Sequence, residues 1–471
     1  MRALRRRGAH ASGMWRGAPV ATASRQEYSI GVRAIVTLAV ASGLAAAVLG
    51  GCGDGDGGAA KSSSFTVWAF EEGSGVGVAP EIPLGGAEVA FDPPGGGARV
   101  ITRAAADGHA TFEAAFGDGD GARGASITIY DERHVLVSAV DVSPAGARAR
   151  PNGAGKPASD LVLYAPALDD VVRASSIELR GALTGKRDVA TSIDVSVSGV
   201  PRLGAHESKD PSYVLRAPRD RAFFLLGHEV ATVTPAPKLF TEVVGSFRVD
   251  FPAMGGDGTR DIDVTTSRLP LRIVHVRAEV PAGPRGTFGA GTSAFATVES
   301  ADSELLVAPL HKATPTRDGR AFELELSVAT TDIAPERPFT RASFVAPDGA
   351  RSVRFEPGVV ADGATWNDFL TPAFVAAAAS PPALSEPLPL DDFPPGADLL
   401  VEVYAGTQLA WSITGPPGGL RGPITLPVPL EIRLPALVAV SISARTELLT
   451  RTTRGDLYRR VATTRDVLYR R

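Results

Sequence analysis

Beyond residue 52 no stretch of the chain sustains a helical period between caps; short β-branched or alternating runs recur instead, each cut off by Gly, Pro, Asp or Asn. Runs at 65–70, 88–91, 110–116, 125–130 and 135–142 form one series. Others follow at 160–164, 176–183, 191–200, 222–226, 239–251, 272–280, 294–298, 321–328 and 399–404. Segments this short hide a side chain at every second position, so they gain stability only when sheets pack face to face. The expected fold is all-β, with two or three β-sandwich domains. Helix should be scarce, 365–379 being the one serious candidate. There Trp366, Leu370, Phe374 and Val375 would share a face, and Pro372 allows at most a short or kinked version.

Composition excludes several classes. An apolar fraction of 44% is enough for cores, and the 51 Gly and 37 Pro lack the triplet period of collagen. With 48 basic against 52 acidic side chains the net charge is −4, which gives no electrostatic footprint for nucleic acid. A single cysteine excludes an internal disulfide, a multi-cysteine zinc site and a paired-cysteine redox motif.

That cysteine, Cys52, ends the uncharged run 34–51, which follows Arg33 and, further upstream, Arg25, Arg16 and Arg5 to Arg7. Basic flank, apolar segment and small residues are the layout of a secretory signal. The stretch Leu49-Gly50-Gly51-Cys52 resembles the bacterial lipobox, in which a peptidase cuts before a lipidated cysteine. The resemblance implies a lipoprotein whose signal peptide is residues 1–51, with palmitate-type acylation of Cys52 and membrane attachment through that lipid. Met14 offers a later start within an over-long leader. An uncleaved membrane helix over 34–51, or an ordinary buried thiol, are the competing readings. Residues 52–63 read as a polar flexible tether. Cleavage would remove seven arginines and Glu27, taking the net charge from −4 to −10.

The remainder divides by composition into a first sandwich at 64–143, a linker at 144–159 poor in large apolar residues, and an all-β region at 160–471. Six prolines between Pro381 and Pro395 suggest a joint near 380–395. The one internal repetition lies at the end, where Thr452-Thr453-Arg454-Gly455-Asp456-Leu457-Tyr458-Arg459-Arg460 is echoed by Thr463-Thr464-Arg465-Asp466-Val467-Leu468-Tyr469-Arg470-Arg471. It reads as a closing hairpin on a sheet edge.

Within the first sandwich, Leu84-Gly85-Gly86-Ala87-Glu88-Val89 opens a strand, and Ala106-Asp107-Gly108-His109-Ala110-Thr111-Phe112 gives a turn running into the next. Asp-Gly permits positive φ, and Phe112, Ala114 and Phe116 would share one face. This order is similar to the carboxypeptidase-regulatory-like, or prealbumin-like, module, with Arg103 where that family often has Thr. The resemblance covers about 80 residues and implies an accessory domain that binds or spaces rather than an activity.

Local chemistry is sparse. Gly73 to Gly77 faintly resembles a nucleotide loop but runs into Pro80 and Pro83 rather than a helix. His228-Glu229 lacks a second histidine four residues on, and Asp118-Gly119-Asp120-Gly121 lacks the length and glutamate of a calcium loop. Asp131, Glu132 and His134 could meet on a metal, a solvated turn being the blander reading; Arg454-Gly455-Asp456 carries no adhesive weight. No catalytic or metal residue and no cofactor is assigned. The seven arginines from Arg451 to Arg471 face only Asp456 and Asp466, a surplus of +5 that needs either carboxylates on neighbouring strands or an anionic partner.

The first functional expectation is a non-enzymatic, lipid-anchored envelope protein that binds or scaffolds, in contact with an anionic envelope polymer or a protein partner. Gly53 after the cysteine favours the outer membrane. The rivals are an envelope hydrolase acting on glycan or peptide with a non-local site, and an accessory subunit of a secretion or export assembly.

Overall fold

A computed structural model describes residues 62–72, 81–93, 97–115, 125–142, 160–199, 205–208, 212–233, 240–282, 288–301, 305–329, 337–373, 375, 380–386, 394, 396–415, 434–452 and 455–471. The chain is all-β with several packed sheets. Among the described residues, buried apolar side chains gather into four clusters.

The first cluster is built by β1 (Ser62–Glu71), β2 (Glu88–Asp92), β3 (Val100–Arg103), β4 (His109–Ala115), β5 (Ser126–Tyr130), β6 (Leu136–Val140) and β7 (Leu161–Ala165). Alternation works as the pleat requires: Phe65, Val67 and Ala69 of β1 are buried between sheets, whereas Thr66 and Trp68 face outward. Phe65, Phe91 and Phe112 meet with ring centroids 5.4 to 5.7 Å apart. Gly108 has φ +88°, and a Cβ there would lie 2.5 Å from the Ala69 carbonyl, so the Asp-Gly turn requires glycine. Strand β7 pairs parallel with β1, and Leu161, Leu163 and Ala165 share this core, which therefore draws on chain both before and after 144–159.

After a short helix α1 (Asp169–Ala174), the second cluster is enclosed by β8 (Ser176–Thr184), β9 (Ser192–Val197), β10 (Ala205–Ser208), β11 (Ser212–Pro218), β12 (Phe223–Val233), β13 (Phe240–Phe251), β14 (Gly258–Thr259), β15 (Ile262–Asp263) and β16 (Arg268–Leu269). The third lies among β17 (Leu271–Glu279), β18 (Ser293–Ser300), β19 (Leu306–Ala308), β20 (Leu310–Pro315), β21 (Ala321–Ala329), β22 (Pro338–Val345), β23 (Arg351–Pro357) and β24 (Ala364–Trp366). The fourth is covered by β25 (Asp398–Ala405), β26 (Gln408–Thr414), β27 (Leu437–Thr452), β28 (Gly455–Thr463) and β29 (Val467–Arg470).

Three of the clusters share one hydrogen-bonded sheet, in the order β19-β18-β22-β23-β28-β27-β25-β26-β6-β5-β2-β3. Its unusual joint is the parallel pairing of β26 with β6. Strand β6 is buried on both faces: Val137 and Ala139 enter the first core, Leu136 and Val140 the fourth. Double burial explains why this strand is a nearly continuous apolar run.

Two expectations fail. Residues 365–379 form no helix among the described positions: β24 pairs parallel with β17, and irregular chain then carries Trp366 and Phe369 into the third core, and Ala373 and Val375 into the fourth. Pro372 supplies no N–H and disfavours helical geometry at Thr371, while the preceding Thr-Trp pair suits a strand. Nor do the duplicated closing segments form an edge hairpin. Strand β28 lies inside the sheet between β23 and β27, and β29 follows it end to end along the same side of β27.

Trp411 marks the strength of the parallel joint. It is fully buried, and its indole N–H donates to the Ser138 hydroxyl of β6 at 2.9 Å. Trp411→Ala should cost about 3–5 kcal/mol of stability, read as a lower urea midpoint in equilibrium unfolding. A cost below about 1 kcal/mol would mean that the joint is loosely packed.

Candidate functional site

The sequence-predicted attachment residue Cys52 lies outside the described residues, as do Gly73 to Gly77, Asp118 to Gly121 and Arg454. No group of three or more His, Cys, Asp or Glu is arranged to hold a metal among the described residues. No helix there is long and apolar enough to cross a membrane.

Of the Asp131, Glu132 and His134 cluster, the fold uses two members and adds a third from elsewhere. His134 Nδ1 meets Asp131 Oδ1 at 2.7 Å, and Nε2 meets Glu71 Oε2, at the end of β1, at 3.1 Å. Glu132 is exposed. Burial alone would lower the pKa of this imidazole, but the hydrogen bonds to Glu71 and Asp131 outweigh it and raise the pKa above the ordinary histidine value. Asp131 experiences the converse: burial pushes it up, and the bonds from His134 and the Arg133 amide hold it below the ordinary carboxylate value. With a carboxylate at each ring nitrogen, the protonated imidazole donates to both, and in that form the group is a charged clamp. The adjoining turn is tied down through the Val135 amide to the Pro166 carbonyl at 2.7 Å.

His228 and Glu229 are adjacent but face opposite sides of β12. His228 is buried; its Nε2 donates to the Leu306 carbonyl at 2.7 Å and its Nδ1 accepts from the Ser246 hydroxyl at 2.6 Å. Burial pushes its pKa down to about 4, so it is neutral. Ser196 Oγ accepts from the Leu306 amide at 3.2 Å, so two side chains hold the N–H and the C=O of one residue of β19 as a neighbouring strand would. Glu229 is fully buried; it accepts from the Arg187 amide at 2.6 Å and is paired with Arg268 at 3.2 Å. Gly245 leaves room for it, since a Cβ there would lie 2.1 Å from Glu229 Oε2.

The C-terminal arginines separate into two populations. Arg459 reaches both oxygens of Glu356 at 2.8 Å and Glu447 at 2.9 Å; Arg460 pairs with Glu447 and, at 3.8 Å, with Asp368. Arg354 bonds Glu356 and Asp368 in turn, which closes a network of three guanidiniums and three carboxylates. Glu447 adopts φ +58° beside an irregularity in the β27–β28 pairing, and this kink aims its carboxylate at both arginines. Neighbouring strands thus supply the compensation for this half of the island. The side chains of Arg470 and Arg471 donate to the carbonyls of Pro381 and Leu434. Neither they nor Arg465 pair with a carboxylate among the described residues. Register sets Arg470 opposite Leu437 and Leu468 opposite Ala439 on one face, with Leu437 and Leu468 about half exposed.

No family model and no curated protein matches the chain. Among solved structures, it is similar to an adhesin candidate from Bacteroides ovatus over 39% of this chain and 72% of that one, at 6% identity and a TM-score of 0.12. It is similar to the Bacillus anthracis TIE protein over 65% of this chain and 49% of that one, at 10% identity and a TM-score of 0.17. Invasin, a bacterial integrin-binding protein, matches over 85% and 78%, at 9% identity and a TM-score of 0.10. Similarity at this level decides neither fold nor activity.

The His134 clamp has a pH signature. A raised histidine pKa stabilises the fold fully below about pH 6.5 and loses that contribution as pH rises through the native value. The lowered Asp131 contributes above about pH 4 and is lost on further acidification. His134→Gln should therefore cost about 1–3 kcal/mol at pH 5.5 and clearly less at pH 9, measured by urea unfolding at both. An equal cost at the two pH values would show that the imidazole is not charged.

Proposed function

We propose that the chain is a lipid-anchored protein of the bacterial envelope whose β-sheet body acts, without catalysing a reaction, as a binding or scaffolding module. The observation that carries this reading is the run 34–51 closed by Leu49-Gly50-Gly51-Cys52 and followed by the polar stretch 52–63, whose last two residues open β1. Gly53 favours export to the outer membrane. The clustered titratable groups support a structural use of the interior chemistry, because both nitrogens of His134 and of His228 are engaged by the protein itself. For a partner, the cations left outside the ion network, Arg465, Arg470 and Arg471, favour an anionic envelope polymer.

Anchoring is tested by Cys52→Ser. The native protein should be recovered in the membrane fraction with an acylated N-terminal cysteine, and the variant should lose that mass increment. Identical masses for the two would reject the lipid anchor. The anionic contact is tested on an alginate column: Arg470→Gln with Arg471→Gln should weaken retention roughly tenfold at low salt, each arginine near an anionic surface contributing up to about 1 kcal/mol. Retention that is equal for both proteins, or indifferent to salt, would remove this partner from the reading.

A further inference from the structure

Where β27 meets β29, the outward face of the sheet joins an apolar patch to arginines that no carboxylate answers among the described residues. Val438 and Val440 of β27 and Tyr469 of β29 point into the fourth core, so Leu437 and Ala439 on one strand and Leu468 and Arg470 on the other stand on the opposite face. Register sets Leu437 against Arg470 and Ala439 against Leu468, which makes the two leucines diagonal neighbours with backbones about 7–8 Å apart. They are 50% and 54% exposed, and exposed Pro435 and Ala436 lead into them. Exposed leucines scattered singly need no explanation, but these two share one face and both flank Arg470. Further along β27 the same face turns to serine, at Ser441 and Ser443. The presentation is fixed, because the Arg470 N–H donates to the Pro382 carbonyl and its C=O accepts from the Leu384 N–H, both at 2.7 Å. The Arg470 side chain is held through Nε on the Pro381 carbonyl at 2.8 Å, and its two terminal nitrogens have no acceptor among the described residues. Asp466, an exposed acid, lies at the far end of β29, beyond Leu468 from Arg470.

A guanidinium with both terminal nitrogens open takes a carboxylate in a two-bonded fork, so the charge selects an acidic ligand. The leucines select further. They stand on a strand face and are half covered at their sides, which gives a shallow contact that a methyl group fills. The acyl chains of a bilayer are reached only by groups that sink about 5–10 Å into the headgroup boundary. A matching polymer carries carboxylates and, on neighbouring hydroxyls, small apolar substituents; acetyl esters are such substituents and leave the charge unchanged. We propose that this face recognises an O-acetylated acidic polysaccharide, with Arg470 and Arg471 on its carboxylates and Leu437 and Leu468 against the acetyl methyl groups. The proposal rests on the anionic contact of these arginines and adds to it the substituent that sets specificity.

The experiment runs the full-length protein at low salt over two columns made from one alginate preparation, plain and chemically acetylated on its hydroxyls. The acetylated column should retain the native protein roughly fivefold more strongly, the effect of burying about one methyl group. Leu437→Ser with Leu468→Ser should abolish that preference and leave retention on plain alginate nearly unchanged, whereas Arg470→Gln with Arg471→Gln should weaken retention on both columns. A local reading serves if the double serine variant fails to fold, as judged by circular dichroism. The chain has one cysteine, so Cys52→Ser with Ala436→Cys leaves a single thiol beside the patch, and Cys52→Ser with Val214→Cys leaves one on β11, at a position 52% exposed. Acetylated alginate should slow alkylation of the thiol at 436 and not of that at 214. Equal retention of the native protein on the two columns, or a preference that survives loss of both leucines, would overturn the proposal while the anionic contact stands. Phosphatidylglycerol vesicles that shield the thiol at 436 as well as the acetylated polymer does would overturn it in favour of a lipid surface. If the arginine substitutions change neither column, the anionic contact itself falls, and the proposal with it.

Discussion

The backbone ladder between β26 and β6 is the constraint on which the remaining architecture hangs. Antiparallel sheets usually keep one face for solvent, but β6 gives one face to each of two cores, and its five residues are all buried. A parallel neighbour that arrives from more than 270 positions away in sequence can be held only if the closure entropy of the intervening chain is offset by burial. The indole of Trp411, its bond to Ser138 and the Ser138 contact with Thr128 supply that offset at the joint itself. The first and fourth cores are therefore neighbours through one shared strand.

A second ladder, between β23 and β28, extends the same sheet into the third core, and here electrostatics accompany the hydrogen bonds. Arg354 and Arg460 lie opposite each other in register, an arrangement that would repel if left alone. Glu356, Glu447 and Asp368 surround them, so each cation lies between anions. Partly exposed pairs are individually weak. A closed network fixes orientation more than it adds stability, and it discourages pairing in any other register.

Much of the fold is legible along the chain because strand burial has a period of two and turns have their own chemistry. The Asp107-Gly108 turn, the inward Phe112 and the alternation of β1 follow from local residues, whereas Phe116 lies beyond the described positions. Local reading fails where a distant partner decides. The helix expected over 365–379 has an apolar face, yet Trp366 of that face enters the third core and Val375 the fourth. Asp131 and His134 are neighbours in sequence, but the group that completes their clamp, Glu71, is 63 positions from the histidine and carries no motif. The arginine surplus was readable as a charge that demanded an answer. Which arginines are answered by Glu356 and Glu447 depends on strand order.

The duplicated ending has a consequence that comes from counting. The repeat length, from Tyr458 to Tyr469, is eleven, an odd number, so in an uninterrupted strand the two tyrosines would point to opposite sides. Both are buried, Tyr469 in the fourth core and Tyr458 against Asp398 and Arg445, and between Thr463, opposite Ser443, and Val467, opposite Val440, β28–β29 spends one residue more than β27. The surplus residue reverses the parity. Sliding the second copy into the place of the first would therefore carry the misfit into the middle of the sheet and set Arg470 and Arg471 against Glu356 and Glu447. The echo in the sequence is thus not interchangeable in space, and the single extra residue acts as a vernier that permits one alignment of the two copies.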